Sequence, residues 1–268
     1  EDEASGLPVS WQLPGNAIMK DIVAEAKKYN VPVVLHATSY AAQKFALNTG
    51  VQVLAHSMWN WSADPAEFNN KKLTAAHKGL LLQIAKRNIA YQPTFRAITA
   101  EYDLLNSGFV NDEQLEHVYP SRYLDFLKTK EGQWGREKIL SRANFLKEKS
   151  PAFYKAFRKD FITDEQMFTE GYKLYKYRIG TVVKYLDDNH ANLVFGTDGV
   201  AMNMYTNPPG YNGFLEMKHW VDVGISLQTL FKAVTINNAG AFHIYQQGAQ
   251  PPVPGLRCPG TRQQQAPL

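Results

Sequence analysis

The 268-residue chain is short of cysteine, of long apolar runs and of concentrated charge, and each shortage removes a class of protein. Cys258 is its one cysteine, so no disulfide can form within the chain and an internally stapled scaffold is excluded. The compartment stays open, because exported proteins also occur without bridges. No apolar stretch reaches the length of a membrane span. The 29 Lys and Arg against 25 Asp and Glu leave a net charge of +4, with no dense basic block to follow a phosphate backbone, which makes nucleic acid a poor partner. The opening residues Glu1 to Gly6 are neither an initiator methionine nor a signal peptide. The expectation is a numbering that starts inside a longer chain, with a cellular address the sequence leaves unknown.

What is present is a composition of 44% hydrophobic and 20% charged residues, that of a soluble globular domain able to bury a sizeable core. Three apolar runs each close on a potential metal ligand: Val31 to His36, Val51 to His56, and Leu193 to Asp198. A β-branched run ending on a polar residue reads as a buried parallel strand, and in a barrel of such strands the chemistry sits at their C-terminal ends.

Helical spacing predicts a helix over Asn16 to Tyr29, leading into a strand at Val31 to Leu35. A second unit follows, with a helix from Tyr40 to Leu47, a turn at Asn48-Thr49-Gly50 and a strand at Val51 to Ala55. His36 and His56 therefore stand one helix-plus-strand repeat apart. Ser57 to Trp61 reads as a rim loop, Asp64-Pro65 as a helix start, Lys72 to Arg87 as a helix, and Ile89 to Gln92 as a third strand ending at Pro93-Thr94. From residue 96 to about residue 171 no convincing strand occurs, which suggests a helical insertion over the active end. The repeat resumes with a helix over Tyr172 to Asn189, a fourth strand at Asn192 to Phe195, a loop from Asn203 to Gly213, and helices over Phe214 to Val223 and Ser226 to His243. The Gln- and Pro-rich stretch 246–268 reads as a flexible tail. The domain reading is thus barrel units in 1–95, the insertion in 96–171, a final unit in 172–245, and the tail.

The order His36 after one strand, His56 after the next and Gly196-Thr197-Asp198-Gly199 after a later one resembles the second half of a metal-dependent amidohydrolase of the imidazolonepropionase and prolidase-like branch. Asn207-Pro208-Pro209-Gly210, Glu216, Gly224 and Ala233 to Ala239 follow in the order that family shows. The resemblance covers about Pro14 to Phe242 apart from the insertion. It implies an α/β fold, a partial (β/α)8 barrel of about strands five to eight, in which His36, His56 and Asp198 hold divalent metal, with zinc expected. It implies hydrolysis of an amide or cyclic amide C–N bond in a small or dipeptide-like substrate by metal-activated water, Asp198 being both ligand and proton shuttle. Two departures stand beside it. No two of the seven histidines are two residues apart, so the family's His-x-His is absent, and so is its strand-ending lysine. A fragment of the full enzyme, holding at most one ion weakly, is the corresponding expectation.

The residue types suit that chemistry. A bound metal lowers the pKa of water from about 15.7 to about 7, worth on the order of 12 kcal/mol of nucleophile activation. Two imidazoles and a carboxylate with water in the fourth position form a legitimate open zinc site. The alternatives are a catalytically inactive barrel fragment acting as a binding module, and a metal-free barrel lyase or isomerase. Trp59, Trp61, Tyr91, Phe95, Tyr205 and Tyr211 are candidates to wall a substrate pocket, with ordinary rim packing as the competing reading. His77, His117, His190 and His243 read as solvated or capping, and Glu216 with His219 as surface support on a helix. Arg96 and the basic, aromatic insertion are candidates to recognise an anionic or peptide-like substrate, with a charged helical surface as the commoner reading. An open half-barrel also exposes strand edges, so self-association is expected.

Overall fold

The computed structural model describes residues 14–62, 64–106, 108–199 and 205–244. Its centre is a three-stranded parallel sheet of β1 (Val34–His36), β2 (Val53–Ala55) and β3 (Ala90–Gln92), adjacent in chain order. Leu35, Leu54 and Tyr91 stand level across it, as do His36, Ala55 and Gln92. A parallel bridge from Tyr91 to Leu193 adds a fourth chain segment at the far edge, with Val194 N donating to Tyr91 O at 3.0 Å. All four segments run parallel because each is reached through a helical crossover, the only short route between parallel neighbours.

The crossovers are α1 (Asn16–Lys28) before β1, α2 (Tyr40–Thr49) between β1 and β2, and α3 (Ala75–Lys86) between β2 and β3. Helix α2 starts where the Ser39 hydroxyl accepts from Ala42 N, and ends at Gly50, whose φ of 80° is the left-handed cap that glycine takes without strain. Helix α3 starts with a reciprocal pair in which Thr74 accepts from His77 N while the His77 ring accepts from Thr74 N. His77 does cap, but it is buried rather than solvated.

Residues 96–171 carry α4 (Phe95–Leu105), α5 (Ser121–Leu127), α6 (Trp134–Lys149), α7 (Pro151–Arg158) and the start of α8 (Asp164–Asp188), with no strand among the described residues. Their buried side chains, Leu104, Leu127 and Ile139 among them, share one core with Leu54 and Tyr91 of the sheet. Helix α8 begins eight residues before the position expected for it, at the Thr163 cap that accepts from Gln166 N. Its inner stripe, Ile179, Val182, Val183 and Leu186, is fully enclosed. The C-terminal part holds α9 (Tyr211–Asp222), then α10 (Leu227–Lys232), a wide turn at Ala233–Asn237 and α11 (Asn238–Ala241) in place of one continuous helix. The opening residues 1–13 and the tail 246–268 lie outside the described residues. No helix among the described residues is long and apolar enough to cross a membrane.

The two faces of the sheet differ. Leu35, Leu54, Tyr91 and Leu193 point into the large helical core, whereas Val53, Ala90 and Val194 form a small separate cluster with Ala241 and Phe242 packed against it. Val34, on the second face, keeps 45% of its surface exposed. Parallel strands normally have both faces covered, and on this face Val53, Ala90 and Val194 are buried while the edge residue Val34 is not.

Candidate active site at the C-terminal edge of the sheet

His36 ends β1 level with Ala55, one residue short of His56. Side chains alternate along a strand, so a regular continuation of β2 would send residue 56 to the face opposite His36. The backbone instead turns left-handed at His56, with φ of 73°, and the two rings meet edge to face with centroids 4.4 Å apart. Thr94 after β3 and Asp198 after the fourth segment are left-handed too, with φ of 47° and 54°. A non-glycine residue in that region is strained by about 1–2 kcal/mol, and three such residues at three neighbouring strand ends mark this edge.

His36 is exposed and His56 is buried. Burial, helped by the neighbouring His36, pushes the His56 imidazole down to about 3, so it is neutral at any ordinary pH. Its Nδ1 lies 2.7 Å from the Thr94 hydroxyl, and its ring is 5.8 Å from that of Trp59. Trp59 is fully buried, and among the described residues its indole N–H has no hydrogen-bond partner.

Asp198 keeps an exposed surface, yet the protein around it still raises its carboxyl above the usual range. The structure brings His36 and His56 together. It does not gather them with Asp198 into a ligand cluster: among the described residues no three of His, Cys, Asp and Glu are placed to hold one ion. The donors brought together at this edge are therefore two imidazoles, of which His56 is held neutral as a ligand must be.

The aromatic candidates separate. Tyr91 points away from the edge into the core, where its hydroxyl accepts from Gln43 Nε2 and Met58 N, both at 2.9 Å, and donates to Ser57 Oγ. Tyr205 is buried, its carbonyl accepting from the Tyr119 hydroxyl, and Tyr211 donates to Asp112 at 2.8 Å from the start of α9. Trp61 is buried, and Phe95 is fully buried as the first residue of α4.

Three residues given no such role by the sequence hold the edge in place. Arg178 of α8 donates to the carbonyls of Trp59, Phe68 and Asn70 at 2.9, 2.6 and 3.0 Å, with its guanidinium 5.0 Å from the Trp61 ring. No carboxylate pairs with it among the described residues, and burial lowers it to about 10. Arg96 is buried rather than at the surface, and bonds Asn212, Thr99, Asp103 and the Thr206 carbonyl. Glu216, fully buried on α9, accepts from Phe95 N at 3.0 Å, Arg96 N at 2.8 Å and Trp220 Nε1 at 2.9 Å. Burial pushes its carboxyl up to about 7. His219, one turn further on, packs against Phe95 and is pushed down to about 3 by burial and the cations Lys176 and Arg96.

Fold and site together define an α/β protein with a pair of histidine rings, one exposed and one buried, at the C-terminal edge of a parallel sheet. The chain matches no protein-family model, no curated protein and no solved structure.

Proposed function

We propose that the chain is a portion of a (β/α) barrel hydrolase in which His36 and His56 hold a divalent metal, zinc by preference, at the ends of neighbouring strands. The observation that carries this reading is the left-handed turn at His56, which brings a buried, neutral imidazole against a second one instead of sending it to the other face. Two neutral imidazoles suit zinc, and a bound metal supplies Lewis-acid polarisation and a water nucleophile at neutral pH. The residues themselves do the rest. Thr94 orients His56, buried Trp59 packs beside the His56 ring, and Asp198, whose raised carboxyl makes it a better proton acceptor, takes and returns a proton. The substrate class is the amide or cyclic amide, whose C–N bond needs both an activated water and a proton for the leaving nitrogen.

The test is hydrolysis of a dipeptide and hydantoin panel by zinc-loaded protein, before and after exhaustive chelation. The reading expects turnover that chelation abolishes and that Asp198→Asn lowers about 100-fold or more. Turnover that survives chelation would replace it with the metal-free lyase or isomerase.

One observation favours a second reading. Among the described residues no third ligand joins the pair, and Val34 on the second sheet face keeps 45% of its surface exposed. A chain of this kind also serves as an inactive binding module that associates with its own copies through that face. Sedimentation velocity at increasing concentration separates the two, since the module reading requires dimers in the absence of metal.

A further inference from the structure

Thr94 occupies the N-cap position of α4, where a threonine hydroxyl ordinarily accepts from the second or third amide of its own helix. Here it makes no such bond and its backbone is left-handed. The hydroxyl lies instead 2.7 Å from His56 Nδ1. The capping duty has passed to another helix: the Glu216 carboxylate of α9 accepts from both Phe95 N and Arg96 N, the first two amides of α4, across 121 and 120 residues of chain. Trp220 Nε1 holds the same carboxylate from below. An orphan amide at a helix start needs some acceptor, and once Glu216 supplies it the Thr94 hydroxyl is released for the histidine.

We infer that Glu216 is a positioning residue for His56: by capping α4 in place of Thr94, it leaves the Thr94 hydroxyl to accept the Nδ1 proton of His56, so that the Nε2 lone pair faces the site. The inference rests on the reading of His56 as a ligand, and deepens it by naming which nitrogen binds and what sets the tautomer. A free imidazole prefers its proton on Nε2, the state that cannot bind metal there; the hydrogen bond to Thr94 reverses that preference.

The tautomer is measured directly on metal-free protein, by nitrogen NMR of 15N-histidine-labelled chain at pH 8, where Glu216 is ionised and His56 neutral. The wild type is expected to show His56 with its proton on Nδ1. Thr94→Ala is expected to move it to Nε2, and Thr94→Ser, which keeps the hydroxyl, to restore Nδ1. Glu216→Gln keeps the side-chain shape but presents an NH2 to one of the two amides, and is expected to shift the tautomer part of the way, with about a ten- to hundred-fold loss of zinc affinity. Without any substitution, the Phe95 and Arg96 amides are expected to resist hydrogen exchange although they open a helix. A wild-type His56 protonated on Nε2, a Thr94→Ala variant with unchanged tautomer, or rapidly exchanging Phe95 and Arg96 amides would each overturn the inference. Absence of zinc binding with the expected tautomers would overturn the ligand reading and leave the positioning role intact.

Discussion

The two ends of the sheet use the same backbone conformation for different ends. At the N-terminal end, Asn30, Asn88 and His190 are left-handed just past the ends of α1, α3 and α8, where the chain turns toward the parallel array. That is the ordinary way for a helix to terminate, and asparagine tolerates it well. At the C-terminal end, the left-handed residues are His56, Thr94 and Asp198, and there the turn re-aims a side chain instead of closing a helix. Two of the three meet in one hydrogen bond, and that bond reaches back through α4 to Glu216. The same torsion ends helices below the sheet and re-aims side chains above it.

The comparison is sharpened most by two arginines. Arg178 holds four carbonyls of the loop above the sheet, whereas Arg87, at the lower end, donates to the carbonyl of Leu47. Arg178→Met orphans the loop carbonyls and is expected to cost about 3–5 kcal/mol in urea unfolding, against about 1 kcal/mol for Arg87→Met. Equal losses would mean that the upper loop is not specially held.

Acid separates the ends next. His56 and His219 are both pushed down to about 3, so the folded chain binds fewer protons than the unfolded chain between 6.5 and 3. Their contribution is complete above 6.5 and is lost as pH falls toward 3. Glu216, raised to about 7, has the opposite sign: its contribution is complete below 4.5 and fades as pH rises to 7. Stability measured by denaturant at stepped pH should therefore fall with acid. His219→Leu should recover about 2 kcal/mol of that fall, and Glu216→Gln should steepen it between 7 and 4.5. A flat profile in the wild type would remove the case for buried neutral imidazoles.

The smallest effect is the finest test. Asn88→Gly keeps the lower turn and is expected to change stability by no more than about 0.5 kcal/mol, with the His56 resonances unmoved. Thr94→Gly keeps the upper turn equally well, but removes the hydroxyl, costing about 1 kcal/mol and altering the His56 signal. If both substitutions leave His56 untouched, the upper turn does no more than the lower.

Much of this edge was legible in the sequence. The apolar runs ending at His36, His56 and Asp198 all lie in the parallel array, and the 20-residue step between the histidines does place them on adjacent strands. The helix ends at Gly50 and Thr74 follow local chemistry, and α1, α2 and α3 fall within a few residues of the spacing that announces them. What the sequence hid depends on partners far along the chain. Arg96 and Glu216 read as surface charges because helical periodicity sees a polar residue and not the acceptor or donor 120 residues away that lets it be buried. The inward turn of Tyr91 was equally hidden, since alternation assigns a face only once one face is known. Asp198 shows the converse limit. Its position in the strand order is as expected, but order along a sheet does not bring three side chains to one point.

The central claim is that His36 and His56 act as one binding unit at the upper edge, and zinc titration followed on the side-chain resonances of 15N-histidine-labelled protein tests it most directly. The account predicts that the Nε2 signal of His56 and a ring nitrogen of His36 shift together, saturating at one ion per chain, while His77 and His243 stay still, and that His36→Ala or His56→Ala abolishes the response. Zinc that moves His77 or His243 first, or that moves His36 unchanged when His56 is gone, would contradict it.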